Sequence, residues 1–259
     1  MSETQQQIRE FVAGIQAYVS PVNVINPWSD YVRGYDIGPE AVKIRSEHLV
    51  RYLEPRMSKA RYIFIAEAVG YQGARFSGVP LTSERMVTGN HSLVNHQMVF
   101  SGEPGVRTSL PNIAKPNRSQ ALYGFAEPTA SIIWGEVLSS SRWKPTDFIF
   151  WNIYPFHPYH SSENRMTNRT PTLAELEDGL PFARQLMQLN PDAQIVAIGR
   201  KSADTLSSHL IKHHHVPHPA NGRAVQFQKA VRSMIYPILN WRSVRLRYEL
   251  LSSKCPHIT

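Results

Sequence analysis

The chain has a single cysteine in 259 residues, Cys255. It cannot close an internal disulfide, and neither a multi-cysteine zinc site nor an iron–sulfur cluster can be assembled from it. No apolar run approaches the roughly 18 residues needed to cross a bilayer as a helix. The first seven residues, Met1 to Gln7, contain neither a basic segment nor an apolar one, so no secretory signal is read and a cytoplasmic location is expected. Internal repeats and low-complexity linkers are missing as well. Acidic residues are fewer than basic ones, 20 against 28, which leaves a net charge of +8. Such an excess serves either solubility or a polyanionic partner, and nucleic acid is the usual polyanion.

What is present is a set of short apolar runs separated by helical stripes. Hydrophobic residues make up 42% of the chain, enough for one α/β domain with a full core. Ile8, Phe11, Val12, Ile15, Tyr18 and Val19 form a first stripe over 5–20. A second helix begins at Pro39 and ends at Pro55. Strands are predicted at Tyr62 to Ala66, Asp147 to Ile153 and Gln194 to Ile198, with a weaker fourth at His213 to Val216. Helices are predicted from Glu127-Pro128, from the capping box Thr172-Leu-Ala-Glu175, over Ser202 to Leu210, and from Ala224 to Leu239. The stretch from Ser83 to about Ser119 is a long, weakly patterned loop, which in a compact domain points to function or mobility. One domain is expected over 1–259: a helical packing segment over 1–57, a core over 60–235 and a basic tail over 240–259. Strands alternating with helices predict a three-layer α/β/α fold around a short, mostly parallel four-stranded sheet.

That topology places three polar residues together. Glu67, Asn152 and His218 each fall at or just past the carboxyl end of a different predicted strand, and parallel strands bring those ends to one edge. The loop after the first strand carries Gly70, Gly73 and Gly78, where backbone amides can approach a ligand closely. A carboxylate at Glu67 is costly to desolvate without a role or a partner, such as Arg75 or Arg169. His213, His214 and His215 invite a metal reading, but neighbouring side chains in a strand point to opposite faces.

Three blocks in this order resemble the uracil-DNA glycosylase superfamily. Ile65-Ala-Glu-Ala-Val-Gly70 with Gly78-Val-Pro-Leu81 is similar to its first motif. Trp151-Asn152, with Asn168-Arg-Thr-Pro171 downstream, is similar to the block whose asparagine reads the base. His218-Pro-Ala-Asn-Gly222 is similar to the His-Pro-Ser block that carries the catalytic histidine. Val69 replaces the usual proline and Ala220 the usual serine. Ala68 stands where one branch keeps an aspartate, and Leu81 where many members have phenylalanine.

The resemblance implies hydrolysis of the N-glycosidic bond of uracil, or a related deaminated base, flipped out of DNA, by a monomer needing no metal or organic cofactor. Asn152 would match the N3–H and O4 edge of uracil. His218 would donate to the oxyanion developing at O2, and Glu67 would orient water or offset charge on the sugar, with Glu84 and Tyr71 as alternatives. Ala68, Val69, Gly70 and Tyr71 would line the base, Phe76 or Tyr71 would stack on it, and Leu81 holds the stacking column. Asn221, Gly222 and Arg223 would meet the minor groove, with Asn168 and Arg169 also on the DNA side. Strand cutting is not expected, because no lysine falls near these blocks. Two rivals remain at this point. One is a module that binds uracil-containing DNA with little turnover. The other is a flavodoxin-like nucleotide-binding enzyme, for which the Gly-x-Gly-x-x-Gly phosphate loop is missing.

Overall fold

The computed structural model describes residues 2–113 and 117–235. Helix α1 (Glu3–Gln16) starts at a capping box between Ser2 and Gln5 and buries Ile8, Phe11, Val12 and Ile15. A two-residue strand, β1 (Val24–Ile25), precedes helix α2 (Glu40–Leu53). The side chains of α1 and α2 belong to the same apolar cluster as the central sheet, so the helical segment shares one core with the rest.

Strand β2 (Tyr62–Ala68) begins that sheet. Short helices α3 (Ala74–Ser77), α4 (Glu84–Val87), α5 (His96–Val99) and α6 (Arg118–Tyr123) follow, then α7 (Pro128–Val137), with Pro128 at its first turn. Strand β3 (Phe148–Tyr154) is buried at every residue. Strand β4 (His157–Pro158) pairs antiparallel with β1 in a separate small ribbon. Helix α8 (Leu173–Gln188) opens on the expected Thr172–Glu175 capping box. Strand β5 (Gln194–Ile198), helix α9 (Arg200–Ser208), strand β6 (His214–Val216) and helix α10 (Ala224–Ile235) complete the described fold.

The sheet order is β3-β2-β5-β6, and all three pairings are parallel. Solid apolar runs such as Phe148 to Trp151 and Ile63 to Ile65 fit strands covered on both faces. Strand β2 reaches two residues further than predicted, because Ala68 pairs with Tyr154 on β3. Glu67 is therefore inside the strand rather than beyond it. The ribbon of β1 and β4 was not predicted: two-residue strands carry no alternation to read. The expected continuation of the last helix to Leu239, the basic tail over 240–259 and Cys255 lie outside the described residues. No helix among the described residues is long and apolar enough to cross a membrane.

Candidate active site

The turn after β2 is held from several directions. Gly78 has φ +72°, and a Cβ there would stand 2.7 Å from Arg45 Cα. Only glycine combines that backbone angle with so close an approach. The Trp28 indole N–H donates to the Gly78 carbonyl at 3.0 Å, and the Trp134 indole N–H donates to the Leu81 carbonyl at 3.2 Å. Leu81 itself takes a left-handed φ of +49°, a conformation that these two indoles help to hold. Beneath the turn, Asp36 joins two buried guanidiniums, Arg45 at 3.0 Å and Arg75 at 2.9 Å.

Two adjoining cavities open along the carboxyl edge of the sheet. The smaller, about 280 Å³, is lined by the end of β2 and its turn (Ala66 to Gly70), by Leu81, Glu127 and Thr129, by Asn168 to Pro171, and by His218. The larger, about 430 Å³, is bounded by Glu67, by Ile198 to Ser202, by His215, Pro217 and His218, and by Arg223. Glu67 and His218 line both.

Asn152 is buried beside the smaller cavity, on the strand next to β2. It is not among the lining side chains; it touches the wall through Ala68. Its Nδ2 donates to the Ala68 carbonyl at 2.9 Å, and its Oδ1 has no hydrogen-bond partner among the described residues. A buried acceptor left unpaired costs on the order of 1–3 kcal/mol, which marks a place where a ligand donor would be welcome.

His218 packs against Gly199, whose φ is +85° and whose added Cβ would stand 3.2 Å from the histidine Cβ. The Ala220 amide donates to His218 Nδ1 at 3.2 Å. That contact makes Nδ1 the acceptor, so the neutral ring carries its proton on Nε2. Burial pushes the imidazole pKa below its ordinary value, which favours this neutral tautomer.

Glu67 pairs with neither Arg75 nor Arg169. Arg75 serves Asp36, and Arg169 forms a two-pronged pair with Glu175 at 2.5 and 2.7 Å. The partner of Glu67 is Lys201 on α9, with Nζ 3.3 Å from Oε1. The expectation that no lysine lies near the site is thereby overturned. Lys201 is 134 positions away in sequence, and only the β5–α9 crossover beside β2 brings it there.

Several other expected residues fall elsewhere. Phe76 is fully buried and stacks on Phe125, centroids 5.0 Å apart and planes 7° apart, so it is core rather than a platform for a base. Tyr71 meets Phe125 edge-on, and its amide donates to Asn168 Oδ1 at 2.9 Å. Glu84, offered for water handling, is buried and structural. It accepts from the amides of Thr108, Ser109 and Phe125 and from the Ser109 hydroxyl, and so organises the long stretch after the turn. Ala68, Val69, Gly70, Leu81, Asn168 and Arg169 do line the smaller cavity. Asn221, Gly222 and Arg223 form an exposed turn before α10, with left-handed φ at Asn221 and Gly222, and Arg223 borders the larger cavity. His213 and His214 bind the Ile211 carbonyl and the Gln194 side chain, while His215 lines the larger cavity.

One lining residue escaped the sequence reading. Glu127 was seen only as a helix start, yet it is one of the residues lining the smaller cavity. The residue is partly exposed as a whole, but Oε2 has no contact with solvent and no hydrogen-bond partner. Burial pushes its pKa up to about 7.

The described residues form a four-stranded parallel sheet between helices, with polar side chains gathered at its carboxyl edge. No family model matches the sequence, and no curated protein matches it. Among solved structures the chain is similar to wild-type SMUG2 from Pedobacter heparinus, with a TM-score of 0.60 and 13% identity, over 93% of this chain and 100% of that one. At that identity the likeness establishes the fold.

Proposed function

We propose that the protein is a monofunctional DNA glycosylase of the uracil-DNA glycosylase type, acting as a cytoplasmic monomer on a deaminated base flipped out of DNA. The observation that carries this reading is the Asn152 amide. With Nδ2 tied to Ala68, the unpaired Oδ1 is an acceptor suited to the N3–H of uracil. Cytosine has no proton at N3 and would leave that acceptor unpaired.

In this reading the bond from C1′ to the base nitrogen breaks, the electron pair leaves with the base, and an oxocarbenium-like sugar remains. His218 Nε2–H donates to the carbonyl oxygen on which that charge collects. A water adds to C1′ and gives up a proton, for which Glu67 is the nearby carboxylate. Arg200, Lys201 and Arg223 border the larger cavity and offer positive charge to phosphates. The Lys201 amine is engaged as an ion pair, which suits a phosphate contact rather than attack on the sugar. The resemblance of the three sequence blocks and the shared fold with SMUG2 support the same reading.

The test is a panel of oligonucleotides, each with one modified base, assayed for abasic sites with wild type and with His218→Ala. Abasic sites at uracil, formed at least about 100-fold more slowly by the variant, are the expected result. Tight binding to uracil-containing strands without base release would replace this reading with that of a binding module.

A further inference from the structure

Glu127 sits at the N-cap of α7, where shorter Ser, Thr, Asp or Asn side chains usually accept from the first free amides of the helix. It makes no such bond. The side chain instead lies over the turn after β2. A Cβ at Gly73 would stand 2.8 Å from its carboxyl carbon, and one at Gly70 would stand 3.7 Å from Oε1. Two glycines therefore leave the space that the carboxyl occupies, and the group that fills it has an enclosed oxygen with no protein partner. An unpaired buried carboxylate is expensive, and a neutral carboxyl is much less so. Resting on the glycosylase reading, we propose that Glu127 is a further base-contacting residue of the smaller cavity, which donates its carboxyl proton to a carbonyl oxygen of the bound base.

The division of labour among the polar groups supports this. Uracil presents two carbonyl oxygens flanking one N–H. Asn152 Oδ1 accepts from the N–H, and one of the two Nδ2 protons is already spent on Ala68. His218 supplies a donor for one carbonyl. The second carbonyl calls for another donor, and a neutral Glu127 carboxyl is a stronger one than the Thr129, Thr170 or Asn168 groups that also line this cavity, while Glu67 is engaged with Lys201. The charged and titratable groups on the neighbouring segments are engaged elsewhere. Arg169 is bound to Glu175, Arg85 donates to the Gly124 carbonyl, and His91 contacts Ser131 on α7. Burial is the sole cause that raises the Glu127 pKa, to about 7, so the proton is held in acid solution, half lost near neutrality and gone well above it.

The experiment measures KM and kcat for a uracil-containing single strand from pH 6 to 9, with wild type, Glu127→Gln and Glu127→Ala. For wild type, KM is expected to rise toward tenfold per pH unit above pH 7, as a single required proton is lost. Glu127→Gln keeps an N–H donor of the same shape at every pH, so its KM should be low and flat. Glu127→Ala should show a KM raised about tenfold at pH 6 and independent of pH. A wild-type KM that is flat across the range, or a rise that persists unchanged in Glu127→Gln, overturns the assignment while leaving the glycosylase reading intact. Failure of wild type to release uracil at any pH overturns both.

Discussion

Asn152 Nδ2 and the Ala68 carbonyl meet at 2.9 Å across neighbouring parallel strands, and this contact decides which face of the amide is free. An aspartate at 152 has no N–H for Ala68 and places a carboxylate in a fully buried position. Asn152→Asp should lower uracil release by about 100-fold or more and abolish the preference for uracil over cytosine in what remains. Single-turnover rates on matched oligonucleotides check this. Unchanged rate and choice would remove Asn152 from the base site.

The Glu67–Lys201 pair is half-exposed, and pairs of that kind contribute roughly 0–1 kcal/mol. Lys201→Met should therefore leave the unfolding midpoint nearly unchanged. It should reduce the slope of log K against log salt for DNA by about one. Glu67→Gln should slow base release by about 100-fold with little effect on DNA affinity. Full activity in that variant would mean that water is handled elsewhere.

The buried Asp36 carboxylate holds both Arg45 and Arg75. Removing it in Asp36→Ala leaves two buried guanidiniums without their counter-ion. A loss of about 3–5 kcal/mol is expected in urea unfolding. Because Arg75 belongs to α3, directly after the glycine turn, base release should fall along with stability.

Stability should vary with pH in two opposed ways. Burial holds the His48 and His157 pKa values down to about 4. Each contributes stability that is present above the ordinary value near 6.5 and is lost as pH falls toward 4. Glu127 acts the other way. Its raised pKa means that the stability tied to its proton is full below the ordinary value near 4.5 and is lost as pH rises to about 7. Thermal unfolding of Glu127→Gln between pH 5 and 8 should show the variant gaining on wild type as pH rises. A constant difference across that range would refute the assignment of the proton to Glu127.

Much of the frame was legible in the chain itself. Apolar runs of four to seven residues alternating with helical stripes announce parallel strands joined by crossovers, and β5 appears where the pattern puts it. The capping box at Thr172 is a local signal and is read locally. Less visible were the elements whose stabilisation is not local. The β1–β4 ribbon and the short helices between Ser83 and Tyr123 depend on contacts such as those of Glu84, which links amides 24, 25 and 41 positions away.

The order of the strands along the chain was enough to bring Glu67, Asn152 and His218 to one edge, since parallel strands joined by helices all end on the same side. What each of those side chains touches was decided by the folded molecule. Lys201 reaches Glu67, Phe76 turns into the core, and the Glu127 carboxyl lies over Gly73. Periodicity encodes which way a residue faces relative to its own element, whereas a contact depends on how two distant elements are packed, and that is set by the whole core at once.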